Sequence, residues 1–282
     1  MINFKIGRPE EQVDIDSTQI TSLVELDQQM DQLIKEKNHG ESIKAMLFPP
    51  IPAQLSIPLI FKALIKHHDE LLDKEIKLFI YLAHEIVKDH LIKFLPEKDQ
   101  PIFKRQMYGL ELIIQLGDIT KADTKAIVNA SNNNLKLGGG VSGAIRDAAN
   151  ADMQIYLDKI ASSINIQSGD AIITNSFGIP GIEKIIHVSS VEGTEEVINR
   201  CVRNALLESE KHNITSLAIP ALGAGTGGLP MNRCAEILIT QIQRFYQGKT
   251  DSKMKQIKII LWRKKDFDTF IQVINDPKIS NS

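Results

Sequence analysis

The chain has almost no cysteine. Cys201 and Cys234 are the only two among 282 residues, and two cannot build a disulfide framework. Both fall inside predicted helices, and a reducing cytoplasm is the compartment expected for such usage. Long hydrophobic runs are missing as well. No stretch approaches the roughly 18 apolar residues of a membrane-spanning helix, and the opening M-I-N-F-K-I-G-R-P-E-E is too polar for a secretory signal. Nor does charge of one sign prevail. The net charge is −2, and acidic and basic residues nearly balance on both sides of Arg105. A broad basic field that would attract polynucleotide phosphate is absent, which excludes general nucleic-acid binding. There is no internal repeat. What remains is a chain with 43% hydrophobic residues, long enough for one large domain or two ordinary ones.

The first hundred residues are rich in Leu, Ile, Lys and acidic residues. Ser17 or Thr18 is placed to cap a helix running to about Lys37, with Ile20, Leu23, Leu26, Met30, Leu33 and Ile34 forming one apolar stripe. The run Phe48-Pro49-Pro50-Ile51-Pro52 breaks that pattern. Further helices are predicted over Ser56 to His68 and Leu71 to Leu95, the latter with Ile76, Phe79, Ile80, Ala83, Val87 and Leu91 on one face. Three amphipathic helices predict a small all-α domain over residues 1–100. Pro96-Glu97-Lys98-Asp99-Gln100-Pro101 opposes continued helix, and residues 101–107 are read as a linker. Beyond it strands and helices alternate. Strands are expected near 111–116, 125–129, 170–175, 184–190, 214–219 and 256–262, with helices near 141–161, 193–212, 230–246 and 266–274. Such alternation implies an α/β sheet covered on both faces, with ligands at the carboxyl ends of its strands.

The polar and glycine motifs fall at those ends. Asp118 follows the strand Glu111–Leu116. The amides Asn129, Asn132 and Asn133 end the next strand, and Gly138-Gly139-Gly140 opens a helix at Val141. Far downstream, Gly223-Ala224-Gly225-Thr226-Gly227-Gly228-Leu229-Pro230 again separates a strand from a helix. Glycines before a helix N-terminus let backbone N–H groups approach a phosphate, whose charge the helix dipole favours. Two such loops on neighbouring strands can hold a diphosphate from both sides. The run A-I-V-N-A-S-N-N-N-L-K-L-G-G-G-V-S-G-A-I, together with G-D-I-T, I-I-H-V and P-A-L-G-A-G-T-G-G-L-P, resembles the macrodomain family, whose members bind ADP-ribose and in many cases hydrolyse it from proteins. The likeness runs from about Tyr108 to Ile274, and it leaves residues 1–100 unaccounted for.

The resemblance implies a three-layer α/β/α macrodomain with a mixed six-stranded sheet over residues 108–277. It implies ADP-ribose or ADP-ribosylated protein as partner, with the amino-terminal domain available to a protein partner. The ligand-binding set it implies is Asp118 and Ile119 at the adenine, Asn132 at the distal ribose, Gly139, Gly140, Val141 and Ser142 in the first loop, and Gly223, Ala224, Gly225, Thr226, Gly227 and Gly228 in the second. Asn132 also carries the one catalytic expectation, positioning substrate and water, while Asn129 is expected to fix the loop backbone. Two departures matter. Many relatives carry Tyr or Phe at the position of Gly227, so the pocket is expected to be more open here. One hydrolase branch has an Asp at the position of Ser142, and serine without a partner is no base at neutral pH. Hydrolysis of ADP-ribose esters or mono-ADP-ribosylated protein is the leading expectation, and a non-catalytic reader signalling through the amino-terminal domain its rival. No cofactor is expected, and no metal, because the Cys/His insertion of the zinc-dependent branch is missing and neither His67-His68-Asp69 nor His84…His90 has i, i+4 spacing.

Overall fold

The computed structural model describes residues 2–10, 12–48, 55–83, 87, 91 and 101–280. The chain divides into two compact units, Met1–Gln100 and Pro101–Ser282.

The amino-terminal unit is not all-α. It holds a four-stranded parallel sheet, β1 (Ile2–Ile6), β2 (Ile15–Asp16), β3 (Ser42–Leu47) and β4 (Lys77–Leu82), in the order β1-β4-β3-β2. Helices α1 (Leu23–Glu36), α2 (Ile57–Lys66) and α3 (His68–Asp73) connect them. Helix α1 starts later than its stripe suggests, because Ser22 Oγ accepts the Glu25 N–H and Glu25 in turn accepts from Thr21. The helix expected from Leu71 to Leu95 is the larger error. It stops at Asp73, and the chain turns through Glu75 at a positive φ of 54° into β4, where Leu78, Ile80 and Leu82 alternate into the core. A period of two and a period of 3.6 share Ile76 and Ile80, so a short apolar run reads either way. Except for positions 87 and 91, the remainder of that expected helix lies outside the described residues, as do residues 96–100 of the Pro-rich stretch and 49–52 of the earlier one.

The second unit is an α/β/α sandwich. Its sheet has seven strands rather than six, in the order β5-β6-β11-β10-β7-β9-β8. They are β5 (Ile102–Met107), β6 (Leu110–Leu116), β7 (Ala126–Ser131), β8 (Ala171–Asn175), β9 (Lys184–Ser189), β10 (Ser216–Pro220) and β11 (Gln256–Leu261). The added strand is the segment read as a linker. Its burial is weak, and a hairpin turn at Tyr108–Gly109, both at positive φ, folds it antiparallel onto β6. The inner pairings are parallel, and β8 closes the other edge antiparallel. Strand β6 is buried along most of its length, as an interior strand covered on both faces must be.

Helices α4 (Gly140–Ala148), α5 (Asp152–Ser163), α6 (Glu195–Lys211), α7 (Met231–Tyr246), α8 (Lys264–Ile274) and α9 (Pro277–Ser280) complete the unit. Ile145, Met153 and Leu157 of α4 and α5 pack with Ile127, Ile185 and Ala218 on one face, and α6 and α8 lie against strands with α7 packed between them. The single helix expected over 141–161 is two. Asn150 breaks it, donating its N–H to Phe177 O (2.9 Å) and accepting from Asp152 N (3.1 Å). Among the described residues, no helix is long and apolar enough to cross a membrane.

Candidate functional site at the strand ends

A cleft of about 510 Å³ opens over the carboxyl ends of β6, β11 and β10, three neighbours in the sheet, beside the amino end of α4. Of the residues expected in the site, Asp118, Ile119, Gly140, Val141, Ala224 and Gly225 line it. Asn132, Gly139, Ser142, Gly223, Thr226, Gly227 and Gly228 do not form its walls. Each has a different place.

Asp118 ends β6 and starts a single 3₁₀ turn over Ile119–Lys121, whose first residue is buried. Its Oδ1 accepts from the Thr120 N–H (3.0 Å) and the Thr120 hydroxyl (2.8 Å). No described residue donates to Oδ2, so a local turn and a ligand can use the carboxylate together. Beside it, Gly117 donates its N–H to Leu261 O (3.0 Å), which brings the end of β11 alongside.

The first glycine loop owes its form to helix geometry. Gly139 caps α4, Gly140 takes a φ of +58° that side chains rarely adopt, and the first helical bond runs from the Gly143 N–H to Gly139 O (3.2 Å). The N–H groups of Gly140, Val141 and Ser142 precede that bond and have no carbonyl within the helix to meet. Gly143, which sequence reading passed over, is needed for closure: a Cβ there would lie 2.9 Å from Gly138 O. Arg146, half exposed, donates to Gly138 O (3.2 Å) and to Asp147 Oδ1 (2.9 Å).

In the second loop, Gly228 donates to Gly225 O (3.1 Å) and Leu229 to Gly223 O (3.0 Å). The N–H groups of Gly225, Thr226 and Gly227 donate to no described residue and form a concavity suited to an anion. Gly223 has a φ of +77°, and a Cβ on it would strike Ile198 at 2.7 Å. A Cβ at Gly227 would come 2.8 Å from Gly193 Cα and 2.8 Å from Gly223 O, so the backbone packed there leaves no room for a side chain.

The two asparagines have different surroundings. Asn132 shapes its own loop: Oδ1 accepts from the N–H groups of Asn134 (3.0 Å) and Lys136 (3.1 Å), and Nδ2 donates to Lys136 O (3.1 Å). Asn129 is fully buried and ties elements together. Ser142 Oγ donates to its Oδ1 (2.9 Å), and its Nδ2 donates to His187 Nδ1 (3.0 Å). An amide N–H only donates, so His187 keeps its proton on Nε2, directed at Thr174 Oγ1 (3.1 Å), which donates to Asn175 O (2.9 Å). Every member of this chain from α4 to β8 is satisfied. Burial holds the His187 imidazole neutral, its pKa down at about 3. Ser142 is 5% exposed and belongs to this buried chain.

Sequence reading missed the third wall, Ile260, Leu261, Trp262, Arg263 and Asp266. The strand-end rule that located the glycine loops applies equally to β11, and the only tryptophan of the chain stands there. Trp262 is 52% exposed, and Arg263 Nε donates to Asp266 Oδ2 (2.9 Å). Burial pushes the thiols of Cys201 and Cys234 up to about 12, which makes both poor nucleophiles.

An α/β/α sandwich with two glycine loops meeting over the carboxyl ends of parallel strands defines a class of protein built to hold phosphate-bearing ligands at that edge. Comparison narrows the class. Residues 128–238 match the family model described as Macro domain. A macro domain-containing protein of Methanosarcina mazei is 35% identical over 137 residues, 46% of this chain and 71% of that protein. Protein mono-ADP-ribosyltransferase PARP14 of Homo sapiens is 31% identical over 175 residues, 59% of this chain, yet the chain spans only 10% of its length. Among solved structures, an Oceanobacillus iheyensis macrodomain with ADP superposes with a TM-score of 0.58 at 29% identity, covering 62% of this chain and 95% of that one. The chain belongs to the macro domain family through its second unit.

Proposed function

We propose that the second unit recognises ADP-ribose, free or attached to protein, and serves as a reader of that modification. The observation that carries this reading is the joining, in one cleft of about 510 Å³, of a half-occupied carboxylate at Asp118 with two loops of undirected N–H groups. That volume lies within the usual range for a small-ligand site. Asp118 Oδ2 would accept from the adenine amino group, with Ile119 and the exposed indole of Trp262 offering apolar surface to the base. The amino end of α4 and the Gly225–Gly227 loop would receive the diphosphate. The solved relative at 29% identity, which carries ADP, supports the same reading.

Hydrolysis is the second reading. It is favoured by those N–H groups, which would hold the diphosphate close to the scissile ribose bond and let a phosphate oxygen orient water. Against it, Asp118, Arg263 and Asp266 are the ionisable residues among those described that line the cleft, and Asp266 is paired with Arg263. Calorimetry with ADP-ribose is expected to give micromolar affinity, roughly −7 to −9 kcal/mol. Incubation with ADP-ribosylated substrates bearing ester, N-glycosidic and O-glycosidic links should release nothing above background. Release from one linkage would replace the reader with a hydrolase, and absence of binding would remove both readings.

A further inference from the structure

The amino-terminal unit contains a cluster that the strand-end cleft does not use. His67 joins α2 to α3, and its ring is only 5% exposed. Its Nε2 lies 2.8 Å from Asp27 Oδ1 on α1. A carboxylate oxygen only accepts, so Nε2 carries the proton. In the neutral ring Nδ1 then presents a lone pair, and it faces Asp31 Oδ1, one turn along α1, at 3.5 Å. A cation seated between these two atoms would bond to both. Glu70, in the first turn of α3, completes the group: one ligand atom from each of Asp31, His67 and Glu70 lies within 4.8 Å of the others.

We propose that His67, Asp31 and Glu70 form a divalent-cation site that pins α1 to the α2–α3 corner, with Asp27 orienting the imidazole. The arrangement has the form common at metal-bound histidine, in which the second ring nitrogen donates to a carboxylate. Charge agrees with it. Asp27, Asp31 and Glu70 bring three negative charges, and Lys66, 2.7 Å from Asp27, offsets one. One nitrogen with carboxylate oxygens and no thiolate suits a first-row transition ion such as zinc, whereas calcium and magnesium prefer all-oxygen shells. Zinc bonds of about 2.0–2.2 Å at tetrahedral angles place ligand atoms about 3.3–3.6 Å apart. The Nδ1 to Asp31 separation of 3.5 Å already matches, and the exposed Glu70 carboxylate, within 4.8 Å of both, can close the set by a change of rotamer. The cluster is hidden in the sequence because 36 positions separate Asp31 from His67.

The test uses the full chain, stripped with a chelator and dialysed against Zn²⁺, Mn²⁺ or Ca²⁺ before metal analysis. One zinc per chain is expected, with little calcium retained. Asp31→Asn and Glu70→Gln change exposed side chains and should keep the fold, and each should lower zinc affinity more than about tenfold. Cobalt in place of zinc should give a visible absorption band that His67→Gln removes. Asp118→Ala, in the other unit, should retain the metal. Wild type that keeps no zinc, or Asp31→Asn that binds it as wild type does, overturns the site.

Discussion

Ser142 shows how one side chain decides what a loop can do. Its hydroxyl is enclosed with two acceptors, Asn129 Oδ1 at 2.9 Å and Ala130 O at 3.2 Å. An aspartate there would bury a carboxylate against both. Ser142→Asp should therefore not install a catalytic base but lower stability, by about 1–3 kcal/mol, as a shift in urea midpoint will show. Asp118 is the opposite case, a carboxylate with one oxygen committed and one available. Asp118→Ala should cost about 1.5–3 kcal/mol of ADP-ribose affinity, the scale of a hydrogen bond to a charged group, and much less of any affinity for ribose-5-phosphate. Calorimetry that finds equal losses would show that Asp118 does not read the base. His187 predicts a pH effect. Its pKa falls from an ordinary 6.5 to about 3 on burial, so the unfolded chain binds one more proton between those values. Stability from this group is complete above about pH 6.5 and declines toward pH 3, by at most about 1.4 kcal/mol per pH unit. Urea unfolding at pH 7.5, 6 and 5 should show a weaker acid dependence in His187→Gln.

Among the elements, the glycine loops differ in what they tolerate. Gly140 and Gly223 occupy positive φ, and Gly227 touches Gly193 backbone, so a side chain at any of them disturbs the fold before it reaches a ligand. At Gly225, φ is ordinary and a Cβ would meet nothing within 4 Å, although the residue lines the cleft. Gly225→Val should keep wild-type melting behaviour and lose ADP-ribose binding by at least about tenfold, or 1.4 kcal/mol. A folded variant with unchanged affinity would show that this loop does not hold the phosphates. Strand β4 is where pattern reading failed, and it makes its own test. Ile80 is fully buried, so Ile80→Ala should destabilise the amino-terminal unit by about 2–5 kcal/mol, while Lys77→Ala at the exposed start of the same strand should change little. The loops were legible because glycine before a helix has few uses. The strand was not, because six residues are too few to separate the two periods.

For the molecule as a whole, the unit boundary at Gln100 and Pro101 makes the placement of a truncation decisive. A chain beginning at Pro101 keeps β5 on β6, together with the Arg105 guanidinium that donates to Ile274 O (2.9 Å) and Asn275 Oδ1 (3.1 Å). It should remain soluble and bind ADP-ribose within about tenfold of the full chain. A chain beginning at Tyr108 exposes the edge of β6 and loses that anchor, and should melt lower and aggregate. Equal melting temperatures for the two truncations would mean that β5 adds nothing to the sheet.

Local chemistry alone determined the alternation of strands and helices after residue 110, the two glycine loops, and Asp118 as a carboxylate at a strand end. Each of these depends on neighbours within a few positions: apolar period, positive φ, a helix N-terminus. Contacts between distant residues required the tertiary structure. Asn129 and Asn132 have the same side chain, and only the approach of His187 and Ser142 makes one a buried tie while the other shapes a loop. Gly227 reads as open space until Gly193, 34 positions earlier, packs its backbone against it. His67 has no i, i+4 partner in sequence, and only the packing of α1 brings Asp27 and Asp31 to its two ring nitrogens. In each case the deciding partner is set by how the chain packs, and no local pattern encodes it.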